Sequence, residues 1–258
     1  MEIWQAIVLG AVQGFAEFLP ISSSGHLMLL QYWFGIEEAF FYSIMLHLGT
    51  LIPVFIVLWK EIWGLFKKPF NKFWYLVLAT IPAGIIGIIF SKIFDLDTLF
   101  YDNIWLLAIT FLITAGVLLF VEGRAKKSTL NNPINAKTGF IMGCGQAFGV
   151  LPGISRSGST LSAGILAKVD RDSNANFTFL MSIPIILAAV LMEGLDIVQT
   201  GTIGAINWVS LAFGVVTAAV CGYIAVKFML KIIKKANYKW FSIYLVGMSI
   251  ATLITALS

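Results

Sequence analysis

The sequence predicts an all-α polytopic membrane protein, with six transmembrane helices plus two re-entrant helix–loop–helix hairpins. Three observations support this fold class: an apolar composition, six uncharged segments of membrane-spanning length, and basic loops confined to one side. Hydrophobic residues make up 59% of the chain and charged residues 12%, and the mean hydropathy is +0.91. A soluble domain carries about twice that charged fraction, so this composition disfavours a large soluble protein with an apolar core.

Six segments have the length and composition of transmembrane helices, because each offers roughly 20 residues without Asp, Glu, Lys or Arg. They are 40–59, 73–91, 103–121, 174–192, 207–226 and 240–258. Aromatic residues such as Trp59, Trp105 and Trp240 lie at their ends. Such residues are typical anchors at the membrane–water interface, so these positions support the predicted boundaries.

Two further apolar segments, 3–35 and 138–167, are interrupted in the middle by Pro, Gly, Ser and an ionisable residue. Each half is too short to cross the hydrocarbon core, which needs roughly 20 residues. We therefore expect each segment to enter and leave on one side as a re-entrant hairpin. The polar centres of these hairpins are 10–26 and 143–160.

The basic residues give the orientation of the spans. Fifteen of the 17 Lys and Arg residues lie in the loops 60–72, 122–137, 168–173 and 227–239. The positive-inside rule places these loops in the cytoplasm and both ends of the chain outside. The first hairpin then opens outward and the second opens toward the cytoplasm.

The two polar hairpins are related in sequence. Segments 10–25 and 143–158 share seven of sixteen residues without gaps, and the three spans that follow keep nearly the same separation. We therefore predict one integral membrane domain, 1–258, made of two repeats, 1–122 and 136–258. Because each repeat crosses the membrane an odd number of times, the second copy is inverted. In inverted repeats the interrupted helices meet near the membrane midplane, so the two polar tips should meet.

The tips hold the chemistry-bearing residues. Glu17, His26 and Arg156 are the ionisable residues within the hairpins, and a charge at membrane depth usually marks a functional site. The structural alternative is a Glu17–Arg156 ion pair that merely joins the repeats. That alternative leaves unexplained the hydroxyl groups at the same tips, which belong to Ser22, Ser23, Ser24, Ser155, Ser157, Ser159 and Thr160.

The residue types at the tips favour binding of a phosphate-like anion. The run 152–160 is typical of a turn that leads into a helix N-terminus, where free N–H groups attract anions and Arg156 could hold phosphate bidentately. Gln13 and Glu17 lie at i and i+4, on one helix face, over a position suited to a phosphate-bound divalent cation. His26 could move a proton, and Ser23 could attack phosphorus if a base activates it. We interpret His47, on a predicted span, as a packed or snorkelling histidine outside the site.

These residues also resemble a known family. Gln13-x-x-x-Glu17, the run from Phe18 to His26 and the run from Pro152 to Thr160 are similar to the signature elements of undecaprenyl-diphosphate phosphatases, the bacitracin-resistance family. The resemblance covers essentially the whole chain. The first motif often begins with Glu in this family; here it begins with Gln13, which cannot be a second carboxylate.

The resemblance implies hydrolysis of undecaprenyl pyrophosphate to undecaprenyl phosphate and inorganic phosphate. This reaction recycles the lipid carrier for cell-wall synthesis and confers bacitracin resistance. It further implies a divalent cation, Mg²⁺ or Ca²⁺, and a place in the bacterial cytoplasmic membrane. The outward opening of the first hairpin favours a site on the extracytoplasmic side. The implied catalytic residues are Glu17, with a possible metal role beside Gln13, Arg156 on the phosphate, and His26 and Ser23 as acid/base and nucleophile. The implied substrate-binding residues are Gln13, Ser22, Ser24, Ser155, Ser157 and Thr160.

Two other functions remain open from the sequence. Inverted repeats with interrupted helices are a transporter architecture, so a transporter or lipid flippase is the main alternative. A structural subunit of a cell-wall complex is the third. The expected partners are the lipid pyrophosphate and membrane lipids, with no nucleic acid, and a homodimer is left open.

Overall fold

The computed structural model describes residues 1–36, 40–94, 96–127, 129–200, 207–235 and 237–257. These residues form α-helices joined by short turns, and the part of the chain described contains no β-strand. The helices are α1 Ile3–Phe18, α2 Ser23–Phe34, α3 Phe40–Val57, α4 Trp59–Leu65, α5 Asn71–Ile93, α6 Leu96–Asp102, α7 Trp105–Lys127, α8 Ala136–Phe148, α9 Arg156–Leu166, α10 Arg171–Leu180, α11 Ser182–Thr200, α12 Trp208–Lys235 and α13 Lys239–Leu257.

The long helices confirm a multi-pass membrane protein. Five stretches of the described chain are long and apolar enough to cross a bilayer: Asn71–Phe90, Trp105–Lys127, Arg171–Met192, Trp208–Ile233 and Lys239–Leu257. The α3–α4 pair is a sixth if it counts as one span, although its helices meet at 85°. Large apolar side chains on the outer faces are exposed, as a lipid-facing surface requires.

The two interrupted segments form helix–turn–helix hairpins, as predicted. α1 and α2 contain 16 and 12 residues, and α8 and α9 contain 13 and 11. At 1.5 Å per residue these helices are about 17–24 Å long, shorter than the roughly 30 Å hydrocarbon core. The turns are tight: Ser22 has a φ of 68° and Gly153 a φ of 83°, which glycine adopts without strain.

Each hairpin packs against a span from the other half of the chain. A Cβ built on Gly10 of α1 would lie 2.3 Å from the backbone oxygen of Gly214 on α12. At Gly143 of α8 it would lie 2.3 Å from the backbone oxygen of Ala79 on α5. Small residues let membrane helices approach this closely. The contacts are reciprocal, although the repeat bounds 1–122 and 136–258 themselves stay a prediction.

The hairpin tips meet inside the protein. A Cβ on Gly25 would lie 2.8 Å from the Cα of Gly153, and one on Gly158 would lie 3.1 Å from the Cβ of Pro20. Ser157 also donates a hydrogen bond of 3.1 Å from its hydroxyl to the backbone oxygen of Leu19. The turn that connects the two helices of each hairpin therefore lies against the N-terminal end of the second helix in the other hairpin.

The last span is anchored at its start by a carboxylate from a neighbouring helix. Glu122 of α7 is buried, and its Oε2 accepts hydrogen bonds from the backbone N–H groups of Tyr238 (2.7 Å) and Lys239 (2.5 Å). These N–H groups lie at the N-terminus of α13, where helical donors lack intrahelical partners. The anchor fixes α13 against α7.

Candidate active site

The Glu17 carboxylate is the centre of a buried polar cluster at the tips. Glu17 is 5% exposed near the end of α1. Its Oε2 accepts a hydrogen bond of 3.1 Å from Gln13 Nε2 and one of 2.6 Å from the Ser23 hydroxyl. Its Oε1 forms an ion pair with Nη2 of Arg156. One carboxylate thus joins α1 and α2 of the first hairpin to α9 of the second.

Ser23 and Arg156 approach this carboxylate from corresponding positions. Ser23 is the first residue of α2 and Arg156 the first residue of α9, 133 positions apart in the aligned hairpins. Each reaches one oxygen of Glu17. Two helix N-termini, with their free N–H groups and positive dipole ends, therefore converge on the cluster, an arrangement that suits a bound anion.

Three polar atoms in the cluster are buried without a hydrogen-bond partner. One is Oε1 of Glu17, whose contact is the ion pair with Arg156; the other two are Nη1 of Arg156, a donor, and Oε1 of Gln13, an acceptor. An unsatisfied buried polar group costs roughly 1–3 kcal/mol, and more when it is charged. An ion pair that served only to join the hairpins would not need a free donor on Arg156 and a free acceptor on Gln13. The cluster is therefore better explained as a site that a polar ligand completes.

The predicted serines cap the two helices. The hydroxyls of Ser22 and Ser155 accept hydrogen bonds from the N–H groups of Gly25 (3.3 Å) and Gly158 (3.0 Å). Ser24 lies 3.4 Å from Ser22, and Ser157 lies 3.3 Å from Ser155, between hydroxyl oxygens. N-caps of this kind are favoured for Ser. These four serines lie at the N-terminal ends of α2 and α9, where they line the hairpin tips.

Thr160 lies one turn after Arg156 on α9, and its substrate-binding role stays a prediction. It is fully buried on α9, and its hydroxyl donates a hydrogen bond of 2.8 Å to the backbone oxygen of Arg156, one turn earlier. Thr residues within helices commonly bond to the carbonyl four residues before them. Its contact therefore supports the turn that carries Arg156, and the structure does not bring this hydroxyl to the Glu17 carboxylate.

His26 has both ring nitrogens bonded away from the Glu17 cluster. Nδ1 lies 2.7 Å from the backbone oxygen of Ser22, and Nε2 lies 2.8 Å from the hydroxyl of Tyr244 on α13. The two rings stack with centroids 5.5 Å apart and planes 5° apart. Because a carbonyl only accepts, Nδ1 donates and Nε2 can accept from Tyr244. A role for His26 as the base of Ser23 stays a prediction that this arrangement does not support.

Sequence reasoning missed Tyr244 and placed His47 wrongly. Tyr244 offers no signal, since a tyrosine on a span is usually an interfacial or packing residue. His47, interpreted as a residue outside the site, has its Nε2 3.5 Å from Oε2 of Glu17, so that interpretation was wrong. The signal for His47 was its ionisable ring on a membrane span, which by default indicates a functional position.

The donor atoms at the cluster fit part of a shell for a hard divalent cation. No group of three or more His, Cys, Asp or Glu side chains suited to a metal occurs among the described residues. The available oxygens are the Glu17 carboxylate and the unpartnered Oε1 of Gln13. Mg²⁺ is commonly held by one or two protein oxygens, with phosphate oxygens and water completing the shell. The set therefore fits a cation that arrives with a diphosphate.

An apolar groove of about 350 Å³ lies between α1, α2 and α13, beside the first tip. His26 and Tyr244 are the polar residues of its wall. The rest of its lining is Ala11, Val12, Phe15, Ala16, Ile21, Leu29, Leu30, Trp33 and Met248. Such a lining suits a hydrocarbon chain.

The chain is similar over nearly its whole length to proteins named undecaprenyl-diphosphatase. Residues 6–251 match the family model described as bacitracin resistance protein BacA. The chain is 39% identical to an undecaprenyl-diphosphatase of Carboxydothermus hydrogenoformans, over 99% of each protein. It is 35% identical to the undecaprenyl-diphosphatase of Methanobrevibacter smithii, over 95% of this chain and 94% of that protein. It is 39% identical to undecaprenyl-diphosphatase 4 of Bacillus cereus, over 98% and 97%.

Proposed function

The chain belongs to the family of the bacitracin resistance protein BacA, and from that premise we infer that it is a membrane phosphatase acting on undecaprenyl pyrophosphate. It hydrolyses the diphosphate with one water to undecaprenyl phosphate and inorganic phosphate. This reaction recycles the lipid carrier for cell-wall synthesis and confers resistance to bacitracin. The observation that carries the proposal is the buried Glu17 carboxylate shared by Ser23 and Arg156.

Arg156 is the residue that holds the phosphate. Its Nη1 is buried and unpartnered, so the guanidinium keeps a free donor in the resting structure. A planar guanidinium matches the oxygens of a phosphate bidentately. The entering diphosphate then competes with Glu17 for Arg156, and the carboxylate released from that ion pair becomes a better proton acceptor.

Ser23 is the proposed nucleophile and Glu17 its base. The 2.6 Å separation between the Ser23 hydroxyl oxygen and Oε2 of Glu17 is that of a nucleophile hydrogen-bonded to a base. Ser23 Oγ bonds to the distal phosphorus, its proton passes to Glu17, and the bridging P–O bond breaks to release undecaprenyl phosphate. Water then cleaves the phosphoserine, which releases inorganic phosphate and restores Ser23. In the alternative reaction, a water takes the place of Ser23 and attacks phosphorus directly.

A divalent cation, Mg²⁺ or Ca²⁺, would be held by Glu17 and the Oε1 of Gln13 together with the diphosphate oxygens. When bound it would neutralise negative charge that develops on the leaving phosphate. Gln13 also donates to Oε2 of Glu17 through Nε2, so its amide can hold the carboxylate and present an oxygen at the same time.

The lipid chain of the substrate lies in the apolar groove. The groove contacts Ile21 and His26 at the first tip and opens between α1, α2 and α13. An amphiphile can therefore place its isoprenoid chain against the groove while its diphosphate enters the polar cluster. By the positive-inside rule the first hairpin opens away from the cytoplasm, so the reaction takes place on the extracytoplasmic side of the bacterial cytoplasmic membrane.

Phosphate release from purified protein tests the function. Detergent-solubilised protein with undecaprenyl pyrophosphate and Mg²⁺ or Ca²⁺ is expected to release inorganic phosphate, and chelation of the cation is expected to stop the release. Detergent micelles separate no compartments, so a protein that only transports the lipid releases no phosphate. Lack of release with both cations would overturn the phosphatase assignment and favour the transporter.

A further inference from the structure

A histidine outside the recognised motifs contacts the reaction centre. His47 lies in the middle of α3, and its side chain is 23% exposed. Its Nε2 lies 3.5 Å from Oε2 of Glu17, the same oxygen that accepts from Ser23 and Gln13. The proposed phosphatase reaction, carried by Ser23, Glu17 and Arg156, does not use the His47 ring.

The ring of His47 is held so that Nε2 faces Glu17. Its Nδ1 lies 2.7 Å from the backbone oxygen of Ser43, one helical turn earlier. Because that carbonyl can only accept, Nδ1 donates to it and fixes the plane of the ring. Nε2 faces a carboxylate oxygen, which also only accepts, so this contact is attractive when both ring nitrogens carry a proton.

The backbone around His47 is also fixed relative to Glu17. A Cβ on Gly49 would lie 2.8 Å from the backbone oxygen of Val215, so α3 packs closely against α12 at this level. α12 also packs closely against α1, because a Cβ on Gly14 of α1 would lie 2.6 Å from the backbone oxygen of Ala218 on α12. Three tightly packed helices therefore set the separation between His47 and Glu17.

We propose that His47 is a positioning residue for Glu17 in the phosphatase reaction; this inference rests on the proposed function. In the resting structure, Arg156 contacts Oε1 of Glu17. When a phosphate takes Arg156, the carboxylate loses that partner. The Nε2–H of the doubly protonated His47 ring and the amide N–H of Gln13 then hold Oε2 in its bond with the Ser23 hydroxyl. Neither His47 nor Glu17 lines the lipid groove, so the contact between them affects the chemical step and not the binding of the lipid chain.

Two polar substitutions separate positioning from general packing. His47→Gln places an amide N–H about where Nε2 lies, whereas His47→Asn is too short to reach Glu17 and can reproduce only the contact made by Nδ1. We expect His47→Asn to lower kcat about 10- to 100-fold with KM within about twofold, the size of loss that a small misplacement of a catalytic group causes. We expect His47→Gln to keep kcat within about threefold of the unsubstituted protein.

The matched control is Thr50→Val on the same helix. Thr50 is fully buried and its hydroxyl bonds to the backbone oxygen of His47, but it does not contact Glu17. Its kcat is expected to be unchanged, and thermal unfolding in detergent checks that all three variants fold. Equal kcat for His47→Asn and the unsubstituted protein, equal losses for the Gln and Asn variants, or a loss confined to KM would each overturn the positioning role. If the unsubstituted protein itself releases no phosphate, the proposed function has failed instead.

Discussion

Glu17 is the residue that joins the two hairpins at the candidate site. The carboxylate accepts from Ser23 and Gln13 on one oxygen and pairs with Arg156 on the other. A buried ion pair of this kind contributes little net stability, because the desolvation of both charges offsets their attraction. Its retention at membrane depth, beside unpartnered donor and acceptor atoms, is better explained by catalysis than by stability.

Arg156 gives the first prediction at this scale. Arg156→Lys keeps a positive charge near Glu17 but lacks the fork that matches two phosphate oxygens, so we expect kcat/KM to fall about 10²- to 10³-fold. The measurement is phosphate release in detergent over a range of substrate concentrations. Arg124→Lys, at an exposed position of α7, is the control and is expected to have the unsubstituted rate. An Arg156→Lys variant with full activity would remove Arg156 from phosphate binding.

Ser23 gives a second prediction at the residue scale. Ser23→Ala removes the proposed nucleophile but leaves the helix in place, so turnover is expected to fall by at least about 10²-fold. Rapid acid quenching with substrate labelled on its distal phosphate should trap label on Ser23. Ser242→Ala serves as the control. Ser242 is a buried serine on α13, and its hydroxyl donates a hydrogen bond to the backbone oxygen of Tyr238. A Ser23→Ala variant that keeps its activity would assign the attack to water.

At the scale of the elements, the helices are held by close backbone approach at glycines. The first helix of each hairpin contacts a span from the other half at Gly10 and Gly143, where no side chain could be accommodated. In a bilayer there is no hydrophobic force between apolar helices, so this packing has to supply the association energy. The position of the tips therefore depends on glycines outside the site, where the helix backbones approach each other closely.

Gly143→Ala tests this dependence. The added methyl group would lie 2.3 Å from the backbone oxygen of Ala79 and would force α8 away from α5, which typically costs about 1–3 kcal/mol. We expect a lower midpoint of thermal unfolding in detergent and a lower kcat. Gly116→Ala is the matched control, because no neighbouring atom lies within 4 Å of the added methyl. That substitution in a helix should be neutral or stabilising by about 0.5–1 kcal/mol. Equal midpoints for the two variants would contradict the packing argument.

At the scale of the whole molecule, a polar centre and a lipid-facing groove lie side by side. The tips place charge in the interior, while the groove between α1, α2 and α13 has an apolar lining. His26 and Tyr244 stand in the groove wall and are bonded to each other. This division suits a substrate that is charged at one end and hydrocarbon at the other.

Filling the groove should discriminate between substrates by chain length. Leu30→Trp adds bulk to the groove wall, so we expect KM for undecaprenyl pyrophosphate to rise about tenfold, the scale of effect that a few methylene groups have in an apolar pocket. The kcat/KM for a short prenyl diphosphate should change less than threefold. Ile250→Trp adds the same bulk to the exposed face of α13, outside the groove, and should leave both substrates unaffected. Equal effects on the long and short substrates would argue against a chain-binding groove.

The sequence by itself determined the class of fold, the family and most of the cluster. Hydropathy and loop charge report on the bilayer, which acts on each segment separately, so the spans and hairpins could be predicted along the chain. The correspondence of 10–25 with 143–158 further indicated that the tips meet. The sequence alone therefore predicts that Gln13, Glu17, Ser23 and Arg156 lie together.

Only the tertiary structure decided which side chains share an atom. His47 and Tyr244 lie on spans outside the two hairpins, and helix packing brings one to Glu17 and the other to His26. The same packing turns His26 away from Ser23 and commits the Thr160 hydroxyl to its own helix. Hydrogen bonds act over about 3 Å, so their partners depend on helix rotations and close glycine contacts that no pattern along the chain records.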